Sequence, residues 1–259
     1  PVKALAALLL LLAAPAAAAP ARVASLNLCS DELALRLAAP GQLVSVSRLG
    51  ADPDETVLAA RAAGLATNNG RVTDIITLAP DLVLTSRGDP NAAAVARRLG
   101  IRAVEIAEPR SFADVRANIR RVASALGRRE AGEALVAEMD AALAPRVRLR
   151  PALMVSGGGL TIAADGMAAR WLAHAGLQQQ QVPRGQLNLE RLLADPPHIL
   201  VFARYRSHQV STNQRWLQHP AFAALPAGTR RIATDGRAWT CLGPGLASEI
   251  ARLRREVGP

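Results

Sequence analysis

The sequence predicts an α/β protein of two Rossmann-like lobes with mostly parallel sheets, joined by a single long helix, with a ligand cleft between the lobes. Three observations carry this. The segments "DIITLAPDLVLTSRG" (74–88) and "ERLLADPPHILVFAR" (190–204) both read as a short apolar helix, a proline corner and a buried strand. They lie 117 residues apart when Pro80 is laid on Pro197. Around each copy, short apolar runs alternate with helical patterns, the rhythm of βα units. From Ser111 to Arg146 that alternation gives way to helical periodicity alone. Half of the 259 residues are hydrophobic but only 3% are aromatic. The core is therefore Ala, Leu, Val and Ile, which suits helices on parallel strands better than an aromatic-rich sandwich.

In chain order, "RVASL" (22–26) reads as a strand, followed by "SDELALRLAAPG", a helix with Ser30 or Asp31 as N-cap and a Pro40-Gly41 stop. "QLVSVS" (42–47) is a second strand, and a loop leads to a helix near Glu55–Ala63. The first repeat copy ends in strand Leu82–Ser86. A helix from Pro90 to Leu99 and the strand "IRAVEIA" follow. An amphipathic helix starts at Ser111. After Gly127 a second one follows over Arg129–Arg146, with Ala131, Ala134, Leu135, Met139, Ala142 and Leu143 at helical spacing. The alternation then resumes with the strand "PALMVS" and its glycine turn, and a helix stopped by Gly176. Strand Ile199–Ala203, a helix around Asn213–Leu217 and a strand near Arg231–Thr234 come next. A closing helix runs from Pro244 to Val257 with Pro244 in its first position. The expected units are a leader over 1–19, an N-terminal lobe over 20–127, a linking helix over 128–149 and a C-terminal lobe over 150–259.

The leader reading rests on "PVKALAALLLLLAAPAAAAPAR". One basic residue, an apolar run from Ala4 to Ala14 and an Ala-rich tail give the three parts of a cleaved secretory signal, and the run is too short to span a membrane. The expected location is the periplasm. "LNLC" (26–29) lacks the small residues before Cys that a lipid-attachment box needs. The net charge of +10 does not indicate nucleic acid: 30 of the 31 basic residues are Arg, scattered in pairs without interleaved aromatics, and the surface reads as simply basic.

"RVASLNLCSDELALRLAAPGQLVSVS", "DIITLAPDLVLTSRG", "RRLGIRAVEI", "LERLLADPPHILVFA" and "HPAFAALPAGTRRIATDGRAWTCLGPG" together resemble the helix-linked periplasmic substrate-binding proteins of ABC importers. The resemblance is to the branch serving cobalamin, iron–siderophore and haem uptake, and it covers the mature chain in order. It implies a high-affinity scavenger, expected to be a monomer, that closes little on its ligand and docks on an inner-membrane permease dimer. The ligand is expected to be cobalamin or a ferric siderophore, with haem ranked behind them, and no cofactor or resident metal is expected. Relatives usually carry a Glu seven residues before each repeat proline to meet the permease. Glu190 fills that place before Pro197; Thr73 fills the other, which makes the neighbouring Asp74 the lobe-1 candidate. "TNNG" (67–70) stands where relatives can have a ring-stacking Trp.

Residues following the predicted strands are the candidates for ligand contact. Arg87, Arg204, Tyr205 and Arg206 follow the repeat strands, and Arg forks suit carboxylate or phosphate oxygens. Asn27, Arg48 and Asn69 complete the polar set, and Trp239 either stacks on ligand or plugs the last helix. Cys29 and Cys241 are compatible with a disulfide, free thiols or soft ligands. Cleft-lining placement is favoured over a formed bridge. The four His residues are isolated, "SGGGL" reads as a strand-end turn, and no nucleophile elbow or zinc-protease signature is present. The reading is a binding module, with an exported enzyme or a signalling receptor on the same scaffold as the alternatives.

Overall fold

The two copies of the repeated segment end in equivalent strands of two separate sheets. A computed structural model of the protein describes residues 19–145, 148–205 and 212–258; residues 1–18, Arg206 and His208 lie outside the described residues. The first sheet contains β1 (Val23–Ser25), β2 (Leu43–Ser47), β3 (Ala66–Asn68), β4 (Leu82–Ser86) and β5 (Arg102–Ile106), in the order β3-β2-β1-β4-β5. The second contains β6 (Arg150–Val155), β7 (Leu177–Gln179), β8 (Ile199–Arg204) and β9 (Arg230–Asp235), in the order β7-β6-β8-β9. All these pairings are parallel. The repeat strands β4 and β8 each sit beside the first strand of their lobe, so all carboxyl ends in a lobe open on one edge.

Several elements differ from the sequence reading, each for a local reason. Helix α1 (Leu28–Leu37) starts earlier than expected, because Asn27 and Ser30 form a reciprocal capping box. The loop after β2 holds the short α2 (Arg48–Ala51) and a 3₁₀ turn (Ala59–Ala62) instead of one helix near Glu55–Ala63. In the first repeat copy the predicted helix is two 3₁₀ turns, Val72–Asp74 and Ile76–Leu78. Its β-branched Val72, Thr73, Ile75, Ile76 and Thr77 resist a regular helix. "LERLLA", which has no β-branched residue, forms α7 (Leu189–Ala194), capped by Asn188. The closing helix α9 (Leu246–Val257) begins past Pro244, and strands β3 and β7 are too short to show a period.

The lobes are joined through a helical hairpin. Helix α4 (Phe112–Ala125) turns at Gly127 into α5 (Arg129–Ala142). Gly127 has φ +70°, a left-handed value that L side chains rarely adopt. Salt bridges Arg116–Asp140 and Arg120–Glu133 hold the pair antiparallel. One buried cluster runs from Val23, Leu33 and Leu82 through Ile119, Val122 and Met139 to Met154, Trp171 and Ile250. Both lobes and the link therefore share a core, which limits hinge motion. No described helix is long and apolar enough to cross a membrane.

Helix α9 is tied to β9 by Glu249, which accepts from Thr234 Oγ1 at 2.5 Å, Arg252 Nη2 at 2.7 Å and the Asp235 N–H at 3.2 Å. Burial raises this carboxyl, but the hydrogen bonds and the Arg252 charge outweigh it and hold the group below its ordinary 4.5. A carboxylate with a depressed folded pKa contributes stability above its unfolded value and loses it as pH falls through the folded one. Unfolding midpoints measured from pH 7 to pH 3 should therefore fall more steeply for the wild type than for Glu249→Gln. Parallel curves would show that Glu249 has no such part.

Candidate functional site

Two cavities open at the strand ends, one per lobe, and Thr240 lines both. The lobe-1 cavity, about 500 Å³, has an apolar wall of Leu33, Leu49, Ile106 and Val115, with Asn27, Ser86, Glu108 and Asn118 among its polar groups. The lobe-2 cavity, about 480 Å³, is walled by Val155, Leu160, Ile162 and Trp239 and rimmed by Ser156, Thr161, Tyr205 and Asn213. Leu49 is 40% exposed and Leu160 54% exposed, so each lobe presents a large aliphatic side chain to the opening. Both volumes fall in the ordinary range for small-molecule sites.

The backbone fixes these walls through buried polar ties. Asn68 Nδ2 lies 2.9 Å from Ser25 O, Ser45 Oγ and Val46 O, locking β3 to its neighbours at the mouth. Buried Asp31 accepts from the Ser47 N–H at 3.1 Å and from the Ser47 hydroxyl. Burial pushes its carboxyl up, and the Ser25 and Ser47 hydrogen bonds pull it partly back. In lobe 2, a Cβ on Gly236 would lie 2.8 Å from Arg204 O and 2.7 Å from Tyr205 Cβ; only glycine lets the β8 and β9 ends approach this closely.

Between the cavities runs a seam joining the lobes. A disulfide links Cys29 in α1 to Cys241, with Cα atoms 5.3 Å apart. The Gly245 N–H donates to Glu32 Oε1 at 2.7 Å, and Glu32 also pairs with Arg36 at 3.5 Å. Burial drives the Glu32 carboxyl up against the pull of Arg36 and that N–H. Arg237 donates to Pro53 O at 2.6 Å while paired with Asp235, and the Tyr205 hydroxyl donates to Glu55. The hollow beside Glu32, Arg36 and Arg237 measures only about 20 Å³, room for about one water.

Of the residues singled out in the sequence, Asn27, Cys29 and Cys241 line the lobe-1 cavity; Tyr205 and Trp239 line the lobe-2 cavity. Arg48, Asn69, Arg87 and Arg204 are exposed and line neither. Trp239 is mostly buried, and its indole N–H is held by Thr234 Oγ1 at 2.8 Å, so little of the ring is exposed at the cavity. The expectation of unbridged cysteines is corrected: the pair is bridged and also lines the cleft, because α1 and the segment before α9 converge at the strand ends. Asp74 accepts the Asn69 N–H at 2.9 Å and caps its own loop. Glu190 is exposed on the first turn of α7. The seam residues Glu32, Glu55 and Arg237 carried no signal in sequence, because each pairs across 150 or more positions. Among the described residues, no group of three or more His, Cys, Asp or Glu converges on a metal site.

Two parallel-sheet lobes, a helical link and a cleft at the strand ends define a solute-binding protein of the periplasmic class. The pattern of the periplasmic binding protein family matches residues 23–235, and the chain belongs to that family. No curated protein matches it in sequence. Among solved structures it is similar to the periplasmic heme-binding protein RhuT from Roseiflexus sp. RS-1, at 24% identity and TM-score 0.70, covering 90% of this chain and 96% of that one. It is also similar to the periplasmic heme-binding protein HutB of Vibrio cholerae, at 20% identity and TM-score 0.72, with 92% and 99% covered. The periplasmic vitamin B12 binding protein BtuF of Vibrio cholerae aligns at 17% identity and TM-score 0.60, with 91% and 96% covered. At these identities the likeness is one of fold.

Proposed function

We propose that the protein is an exported receptor that captures a bulky metal chelate between its lobes and delivers it to an ABC permease dimer. The observation that carries this is the pair of adjoining cavities, each with an aliphatic wall and a hydrogen-bonding rim, sharing Thr240. Among their described lining residues there is no Arg or Lys, and Glu108 is the one charged side chain. A chelate with a neutral, amide- or hydroxyl-rich periphery fits such walls better than one whose edge carries carboxylates, since buried charge needs a partner. A cobalamin-type corrinoid or a ferric siderophore is therefore favoured, and haem ranks behind them despite the heme-binding proteins among the similar structures. Titration of the purified protein with cobalamin, cobinamide, ferric siderophores and haem, followed by absorbance and thermal shift, tests the reading. Saturable binding of haem alone would reverse the ligand ranking, and no binding to any would remove the chelate class.

Delivery would use the outer faces of the lobes. Glu190 is the docking acid of lobe 2 and Asp74 the candidate of lobe 1, meeting a two-fold permease pair. Rim charges act mainly on association rate and salt dependence. Glu190→Arg should leave ligand binding unchanged and slow importer-dependent uptake several-fold, more than Asp74→Arg does. Normal uptake in the double variant would end the docking assignment.

A further inference from the structure

We propose that the Cys29–Cys241 disulfide is a working part of the cleft, which pins the lobes at one fixed opening so that only the oxidised protein retains its ligand tightly. The retention half of this rests on the proposed chelate-binding reading; the pinning half stands on geometry alone. The chain crosses between the lobes through the α4–α5 hairpin, and the disulfide is a second covalent crossing, 212 residues apart in sequence. It leaves α1 in its first turn and enters lobe 2 at the strap of Thr240, Cys241 and Leu242, which itself lines the lobe-1 cavity.

The non-covalent ties on either side need that fixed spacing. The Glu32 acceptor for the Gly245 N–H stands one turn beyond Cys29 in α1, and Gly245 stands four residues after Cys241. Tyr205–Glu55 and Arg237–Pro53 O close the same seam from the β8 and β9 ends. Hydrogen bonds between facing lobes hold only while the lobes stay in register, and a cross-link within one helical turn of the clasp holds that register at no entropic cost in the folded state.

Both cysteines are only partly buried and border an open cavity, so a small dithiol can reach the bond. Reduction transfers two electrons and two protons from the dithiol, which closes to its own disulfide, and leaves Cys29 and Cys241 as thiols. Reoxidation is the reverse exchange with a disulfide-bearing oxidant. The oxidation state of the strap would thus set how long a captured ligand stays.

Hydrogen exchange on the ligand-free protein, oxidised, dithiothreitol-reduced and as Cys29→Ser/Cys241→Ser, tests the pinning. The Gly245 amide is expected to exchange at least tenfold faster in the two unbridged forms, while β4 and β8 amides keep their protection. Dissociation of cyanocobalamin or haem, whichever binds the oxidised protein, should accelerate at least tenfold as well. Unchanged Gly245 exchange overturns the proposal, as does uniform acceleration across both sheets, which would make the bond a general stabiliser. If Gly245 responds but dissociation does not, the pinning stands and the ligand-retention half is overturned. If neither probe binds the oxidised protein, these two chelates are excluded as ligands and the exchange result alone decides the pinning.

Discussion

Thr240→Trp is expected to abolish chelate binding, by at least about a hundredfold, while the protein stays folded. Thr240 is exposed and, among the described residues, is the one that lines both cavities. An indole there fills the space a ligand bridging the lobes must occupy. A hundredfold loss corresponds to about 2.7 kcal/mol of binding free energy. The same change lies at an exposed position outside the core, where substitutions usually alter stability by about 0.5 kcal/mol or less. Thr240→Ala, which only enlarges the passage, should bind within a few-fold of wild type. Full-strength binding by the Trp variant would move the ligand out of the cleft. The next place to look would be the outer hollow of lobe 2 beside Arg184, Glu190 and Trp216.

Trp171→Ala is expected to give the largest loss of stability, about 3–5 kcal/mol for deletion of a fully buried aromatic, or a fall in unfolding midpoint on the order of 10 °C. Trp171 is 0% exposed in helix α6 (Met167–His174). It meets Phe112 of α4 edge-on at 5.0 Å. Its indole N–H donates to Leu242 O at 3.1 Å, and Leu242 takes a left-handed φ of +50° in the strap after Cys241. The substitution removes core from the shared cluster and leaves the strap carbonyl without its donor. Trp171→Phe keeps most of the volume and loses the hydrogen bond, and should cost about 1–2 kcal/mol. Equal losses in the two variants, read from denaturant or thermal unfolding, would show that the hydrogen bond and not packing sets the loss, whereas no loss in Trp171→Phe would show that packing alone matters and that the strap is held by other contacts.

The proline corners at Pro80 and Pro197, the periodicity of α4 and α5 and the apolar runs of β4 and β8 are local signals, each complete within about a dozen residues. They were enough to predict two parallel-sheet lobes and a helical link. The same local reading placed the cleft at the strand ends, because that follows from the βα rhythm itself. It misjudged the first repeat helix, where five β-branched side chains favour 3₁₀ turns, and it missed Asn27 as a cap because the Ser and Asp beside it compete for the same part.

The walls of the site are another matter. Arg48, Arg87 and Arg204, which follow strands in sequence, are exposed and line neither cavity, since a strand-end residue faces the cleft or the solvent according to the turn that follows it. The lining comes instead from Leu49, Leu160 and Thr240, which are unremarkable in sequence. The sequence by itself determined the lobes, their order and the link, because backbone propensity and apolar patterning act between near neighbours. Only the tertiary structure decided that Cys29 meets Cys241, that Glu32 meets the Gly245 N–H and that the cleft is lined almost without charge. Those contacts join residues more than 200 positions apart, and nothing in the spacing of a chain records which of its distant segments the packed core will bring together.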